Sequence, residues 1–349
     1  MNGTFLQRLK ENLVERRTEL ASWFNQAPSS LRKTRVGPNG EDTIRHQIEK
    51  LDEAICCAED DTLGVCEVCH EHVGDSALEM DFESRICLEH LTGIERDLLE
   101  NDLELSQKVQ RALLPHELPR VSGLDIAAYS QPAQMVGGDY FDFFTYGDGA
   151  HGFVIADVMG KGMAASLLMA SFQASLRIIA PESIEPHDVL TRLNRIFRHN
   201  IRLTKFVTVF LARYDATSGT LHYANAGHNP PLLLSQSGEI RLLRPTGAAI
   251  GLAEQSSFTT DTAQLREGDR LLVFTDGVVE LPNASGELFG DERLIEFFAQ
   301  GWAGRSSREI LGLLRSRLEQ FSGSAVPKDD TTMIVVSVGA VNRAEIRSS

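Results

Sequence analysis

The sequence predicts an α+β chain in which a helical hairpin, a compact Cys/His segment and a helical linker lead into antiparallel sheets flanked by helices. Three observations predict it. Apolar residues recur at three- and four-residue steps as far as Leu113, beyond Pro119 the texture turns to short β-rich runs, and successive runs are joined by short Gly-containing loops. Consecutive hairpins rule against a doubly wound parallel sheet.

Leu6, Leu9, Leu13, Leu20 and Phe24 lie at spacings of three, four and seven, the pattern of an amphipathic helix over 5–24. APSSLRKTRVGPNG breaks it, and Ile44, Ile48, Leu51 and Ile55 resume it from Thr43 to Ala58. Residues 1–62 therefore read as two antiparallel helices. The Cys/His segment occupies 63–91. Leu88, Leu91, Ile94, Leu98, Leu105, Val109 and Leu113 then run at helical steps to a stop at Pro115, so 92–118 reads as a coiled helical linker. Residues 119–340 hold ten strand-like runs, from LDIAAYSQ to MIVVSV, with helices at about 162–180, 187–203, 291–300 and 306–321; FLARYD-ATSG-TLHYANA and PLLLSQ-SG-EIRLLR read as hairpins, and 341–349 is a tail.

With 349 residues, 42% of them hydrophobic and 24% charged, the chain falls in the ordinary globular range and can build more than one core. No uninterrupted apolar run reaches the length of a membrane span and MNGTFLQRLKENLVERR does not read as a signal peptide, so a cytoplasmic protein without membrane attachment is expected. Five cysteines, an odd count, fit thiols or metal ligands better than disulfides. The net charge of −15 is uneven: residues 41–104 carry 4 Lys/Arg against 20 Asp/Glu, whereas residues 1–40 carry 7 against 3. So acidic a segment repels a phosphate backbone, and a protein partner is expected rather than nucleic acid.

Four aspartates sit where strand patterns end, each beside a glycine or a second acid: Asp139 in VGGDYFDFF, Asp157 in VIADVMGKG, Asp276 in LLVFTDGVVE and Asp329 in KDDTTMIVV. A single Asp-Gly after an apolar strand is usually a turn. Four of them at strand ends can meet on one sheet edge, where only cations relieve their repulsion, and hard oxygen donors suit Mg²⁺ or Mn²⁺. Upstream, Cys66, Cys69, Cys87 and His90 form C-x2-C-x17-C-x2-H, a spacing for one structural, tetrahedral Zn²⁺; His70 and His72 compete with His90 for the fourth position.

The blocks GGDYFDFF, IADVMGKGMAASLLMA, YANAGHNPPLLL, PTGAAIGL, FTDGVVE and KDDTTMIVV, in that order, resemble the bacterial metal-dependent (PPM) serine/threonine phosphatases of the RsbU and SpoIIE type over about residues 105–340. The resemblance implies two antiparallel sheets packed face to face with helices outside both, and a two-metal centre at one edge. It further implies that Asp157 bridges two Mn²⁺ or Mg²⁺ ions with the Val158 carbonyl beside it, that Asp276 and Asp329 are direct ligands, and that Asp139 holds the second ion partly through water. Two such ions activate water for attack on a phosphomonoester. The implied substrate is a phosphorylated anti-sigma-factor antagonist of the STAS type in a partner-switching pathway. A helix ending like LSQKVQRALLP, residues 105–115, is implied to transmit regulation from the N-terminal region, and a homodimer through the linker is expected. Asp330 is expected to face away from the ions; Gly160-Lys161-Gly162, at a helix N-terminus, could help hold an anion but is read as a tight strand-to-helix turn; and His228 is expected either to fix its loop or to donate a proton. The hairpin and Cys/His segment, about 5–91, resemble the DksA/TraR zinc finger, departing from it in His90 and in acidity. The rival reading is an adaptor that binds a phosphorylated ligand without turnover.

Overall fold

The computed structural model describes residues 3–26, 40–74, 78, 82, 85–90, 92–183, 185–200, 206–252, 257–323, 325 and 327–339. Almost all of the expected 27–40 loop, part of the Cys/His segment, the end of the 187–203 helix and the tail lie outside these residues. The chain forms two units, Met1–Asp102 and Leu103–Ser349.

In the first unit, α1 (Gly3–Gln26) and α2 (Gly40–Glu59) bury Leu13, Leu51, Ala54 and Leu63 in one cluster, with Leu6, Leu9, Leu20 and Ile55 against it. Leu6, Leu9, Leu13 and Leu20 of one expected stripe thus meet Leu51 and Ile55 of the other. Arg17 grips Asp52 through two bonds of 2.7 and 3.2 Å, and Lys10 pairs with Glu59 at 3.2 Å. The order of these pairs makes the helices antiparallel; being exposed, they add little stability. A 3₁₀ turn at Leu88–His90 precedes α3 (Gly93–Leu113), which starts at the expected beginning of the linker, residue 92, to within one residue.

Strict alternation sets the layers of the second unit. Its strands are β1 (Leu124–Gln131), β2 (Tyr140–Thr145), β3 (His151–Val158), β4 (Val207–Asp215), β5 (Thr220–Ala226), β6 (Leu232–Leu234), β7 (Ile240–Leu242), β8 (Asp261–Gln264), β9 (Arg270–Phe274) and β10 (Thr331–Val338). One antiparallel sheet has the order β1-β10-β9-β6-β7 and the other β2-β3-β4-β5-β8. Along β10, Ile334, Val336 and Val338 enter a core between the sheets while Met333 and Val335 face an outer helical layer. Along β4, Phe210, Ala212 and Tyr214 enter the same core, while Val207, Val209 and Leu211 meet the helices on the other side. Period-two burial on both faces yields a four-layer stack. Both expected hairpins form, β4 with β5 closing at Asp215 opposite Thr220 and β6 with β7 at Leu234 opposite Ile240.

Helices α4 (Gly162–Ile179) and α5 (Pro186–Asn200) cover one sheet; α7 (Gly290–Phe298) and α8 (Ser307–Ser322) cover the other, and the four-residue α6 (Asp276–Val279) follows β9 directly. Ser306 and Glu309 cap α8 reciprocally. Contrary to the sequence expectation, Gly162–Glu182 is long and apolar enough by composition to cross a membrane. Its apolarity has another cause: Ala165, Met169, Phe172, Leu176 and Ile179 are buried against the sheet, as in a core helix.

Candidate active site

Antiparallel pairing explains how acids far apart in sequence meet. The start of β2 lies beside the end of β3, Tyr140 opposite Ala156, which brings Asp139 next to Asp157. The start of β10 lies beside the end of β9, Met333 opposite Phe274, which brings Asp329 next to Asp276. The two pairs occupy the same end of the sandwich. Thr275 Oγ1 donates to Asp139 Oδ2 at 2.8 Å and accepts from the Thr332 N–H at 3.0 Å, tying one sheet's edge to the other's.

The glycines beside these acids permit close approach rather than turns. A Cβ on Gly137 would stand 2.3 Å from Asp330 Oδ2, one on Gly138 2.8 Å from the Val158 carbonyl, and one on Gly277 2.0 Å from the Asp330 carbonyl. None of the three needs a positive φ; Gly160 and Gly162 do, at 100° and 70°, making the tight turn expected between β3 and α4.

Burial and mutual repulsion dominate the electrostatics. Burial first, then Asp276, Asp329 and Asp330, push Asp157 up to about 7. Asp276 is pushed up to about 6 by burial, Asp329 and Glu280. Asp139 is held well above the usual carboxylate range by burial, Asp157 and Asp330. Asp139, Asp157 and Asp276 resist ionising beside neighbouring carboxylates, so the donor set fits hard cations, which reverse that penalty. The acids are spread more widely than one ion's cage: among the described residues, only Cys66, Cys69, Cys87 and His90 form a group of three or more such ligand atoms all within 4.8 Å of one another. The Val158 carbonyl lies against Gly138, beside Asp139.

Asp330 does not simply face away. Its carboxylate accepts the N–H groups of Ala133 at 2.7 Å, Gly138 at 2.6 Å and Asp139 at 3.4 Å, and its charge still reaches Asp139 and Asp157. It shapes the loop that delivers Asp139. The second acid of the same block, Asp142, is buried beneath, gripped by Arg177 at 2.6 and 2.9 Å and by the Tyr140 hydroxyl at 2.6 Å. Sequence reasoning missed Gln110, whose amide donates to the Gly137 carbonyl at 2.5 Å and accepts the Gly137 N–H at 3.0 Å; Lys161, read there as part of a turn, pairs with Asp329 at 2.9 Å. No local pattern flags Gln110, and the spacing of Lys161 between two glycines does not show that its partner is Asp329. His228 is buried, its N–H donating to Asn225 Oδ1 at 2.8 Å and its Nδ1 2.8 Å from Thr208 Oγ1; burial pushes it down to about 3. These contacts suit a loop-fixing role, while its Nε2 is buried without a hydrogen-bond partner among the described residues.

In the first unit, the Cys66 Sγ to His90 Nδ1 and Cys69 Sγ to Cys87 Sγ separations are both 3.9 Å, and Cys87 Sγ lies 2.9 Å from His90 Nδ1. A tetrahedral zinc site with bonds of about 2.3 Å has edges of about 3.8 Å, which the two 3.9 Å separations match, while Cys87 and His90 stand closer than such an edge. The Cys66 thiol is pulled down to about 6, chiefly by the N–H groups of Cys87 and Cys69. His70 takes the left-handed position after Cys69, φ 57°, and neither it nor His72 belongs to the cluster.

Two antiparallel sheets face to face, helices outside both, and carboxylates gathered at one end define the PP2C class of phosphatase fold. The SiaA PP2C domain of Pseudomonas aeruginosa shares it at a TM-score of 0.62, with 21% identity over 69% of this chain and 97% of that one. The chain belongs to the Stage II sporulation protein E (SpoIIE) family, whose model matches residues 147–339. Among its relatives are phosphoserine phosphatase RsbU of Bacillus subtilis, 32% identical over 57% of this chain and 59% of the relative, and protein IcfG of Synechocystis, 30% identical over 67% and 41%. The chain thus spans about half the length of these curated relatives. The family match starts beyond Asp139, whose membership of the site rests on its contacts.

Proposed function

We propose that this chain is a metal-dependent phosphoprotein phosphatase that hydrolyses phosphoserine or phosphothreonine on an anti-sigma-factor antagonist of the STAS type. The observation that carries the proposal is the convergence of Asp139, Asp157, Asp276 and Asp329 at one end of the sandwich, with the ionisation of Asp139, Asp157 and Asp276 held back by burial and by neighbouring carboxylates. Family membership and the phosphoserine phosphatase RsbU among the relatives support the reaction class. Asp157, the Val158 carbonyl, Asp276, Asp329 and Asp139 would hold two ions, Mn²⁺ or Mg²⁺. When bound, such ions supply Lewis acidity, lowering the pKa of a water and offsetting charge on the phosphoryl oxygens. The chain's own residues hold the donors still: Thr275 fixes Asp139, and Asp330 fixes the loop before it.

Regulation through α3 belongs to the same reading. Gln110 binds both backbone groups of Gly137 and Gln107 donates to the Met135 carbonyl at 3.1 Å, so the end of α3 grips the loop leading to Asp139. A helix that shifts or loosens there would move a ligand. Leu98, Leu105 and Val109, exposed along α3 at seven- and four-residue steps, offer a seam for a homodimer. Zinc at Cys66, Cys69, Cys87 and His90 would stabilise the N-terminal unit, and such thiolate ligands favour a reducing, cytoplasmic setting.

The test is phosphate release from a phosphoserine-bearing STAS protein by the full chain. Release that needs Mn²⁺ or Mg²⁺, stops with chelator and disappears in Asp157→Asn with an unchanged circular dichroism spectrum is expected. Turnover retained in Asp157→Asn would refute the ligand assignment, and binding of the phosphoprotein without turnover would favour an adaptor.

A further inference from the structure

Lys161 is a cation that the fold brings to the carboxylates. Gly160 and Gly162, both left-handed, reverse the chain tightly between β3 and α4. From that loop the Lys161 ammonium reaches Asp329 Oδ2 at 2.9 Å and donates to the Lys328 carbonyl. Its charge opposes the repulsion that raises Asp157 and Asp276. The side chain is 37% exposed, so its partners can be exchanged without unpacking the core.

A phosphomonoester dianion entering a ring of acids needs more than neutralised ligands; it needs N–H donors aimed at its peripheral oxygens. Arg177, a strong donor from the neighbouring helix, is committed to the buried Asp142. Lysine binds phosphate as a point charge with rotatable donors, and Lys161 stands at the solvent-accessible rim of the acids. Resting on the phosphatase reading above, we propose that Lys161 is the phosphoryl-binding residue: its ammonium exchanges Asp329 and the Lys328 carbonyl for non-bridging oxygens of the substrate phosphoryl group, and afterwards of the orthophosphate product.

The experiment compares wild-type full chain, Lys161→Gln and Lys161→Arg, each saturated with Mg²⁺, by calorimetric titration with orthophosphate and by KM for a phosphoserine protein. Loss of one charge-assisted contact predicts that Lys161→Gln weakens orthophosphate binding about ten- to a hundredfold, with a parallel rise in KM, while Lys161→Arg recovers most of the affinity. Magnesium titration supplies the control. Orthophosphate affinity equal to wild type in Lys161→Gln overturns the proposal, and if Mg²⁺ affinity alone changes, Lys161 merely positions Asp329. Lys161→Met, with a stem of similar length, serves the same comparison should the Gln variant not fold. A wild-type chain that binds orthophosphate through Lys161 yet releases none from phosphoprotein would sink the phosphatase reading while leaving this one standing.

Discussion

The Gly138 N–H donates to the Asp330 carboxylate at 2.6 Å, joining two residues 192 apart in sequence. The same carboxylate takes the N–H groups of Ala133 and Asp139, so one buried acid shapes the loop that presents a candidate ligand. Asp330→Ala leaves these donors without their acceptor, a loss of about 1–3 kcal/mol. A fall in Tm of about 3–10 °C is expected, with weakened Mn²⁺ binding. Thermal melts of the variant check it, and an unchanged Tm would show that the loop holds its shape by other means.

How far the sequence could be read follows from the range of each interaction. The β-rich runs and the turns that join them are local, and they foretold antiparallel sheets with the acids at strand ends; that the sheets are two, packed face to face, is what the family resemblance implied. What escaped was non-local. Gly277 reads as half of an Asp-Gly turn, yet it opens a helical turn and makes room for the Asp330 carbonyl, which approaches from the far end of the domain. Lys161 looked like turn filling because its partner, Asp329, lies 168 positions on.

Gln110 offers a test of regulation that leaves the acids untouched. Its two bonds to Gly137 are worth about 1–3 kcal/mol together, enough to shift a two-state loop by about five- to a hundredfold. Gln110→Ala is expected to lower phosphate release at limiting Mn²⁺ by about tenfold or more, with partial recovery as Mn²⁺ is raised. A titration of activity against Mn²⁺ measures this. Coincident curves for the variant and the wild type would reduce α3 to a spacer.

The raised acids also set the pH response of metal-depleted protein. Asp157 at about 7 and Asp276 at about 6 hold protons in the folded chain that an unfolded chain, near 3.9, has already released. Their contribution to stability is therefore present at about pH 4 and lost as pH rises through 6 to 7. Chelated protein is expected to melt lower at pH 7.5 than these groups allow at pH 5. Mn²⁺ at about a hundred times its Kd is expected to restore about 5–10 °C at pH 7.5, with a smaller gain at pH 5, where protons compete for the same oxygens. A gain that does not depend on pH would place the bound metal elsewhere.

Zinc content separates the chain's two metal chemistries. The N-terminal cluster is built from three thiols and an imidazole and the other from carboxylates, so each selects its own ion. Elemental analysis of purified protein is expected to find one zinc per chain, unchanged in Asp157→Asn and lost in Cys66→Ser or Cys87→Ser. The small apolar cluster around Leu13, Leu51, Ala54 and Leu63 is the core that zinc would have to supplement. Proteolysis should therefore cut within residues 1–102 far faster once zinc is stripped, while 103–349, with its three buried clusters, resists. Equal resistance of the N-terminal region with and without zinc would mean that helix packing alone sustains it.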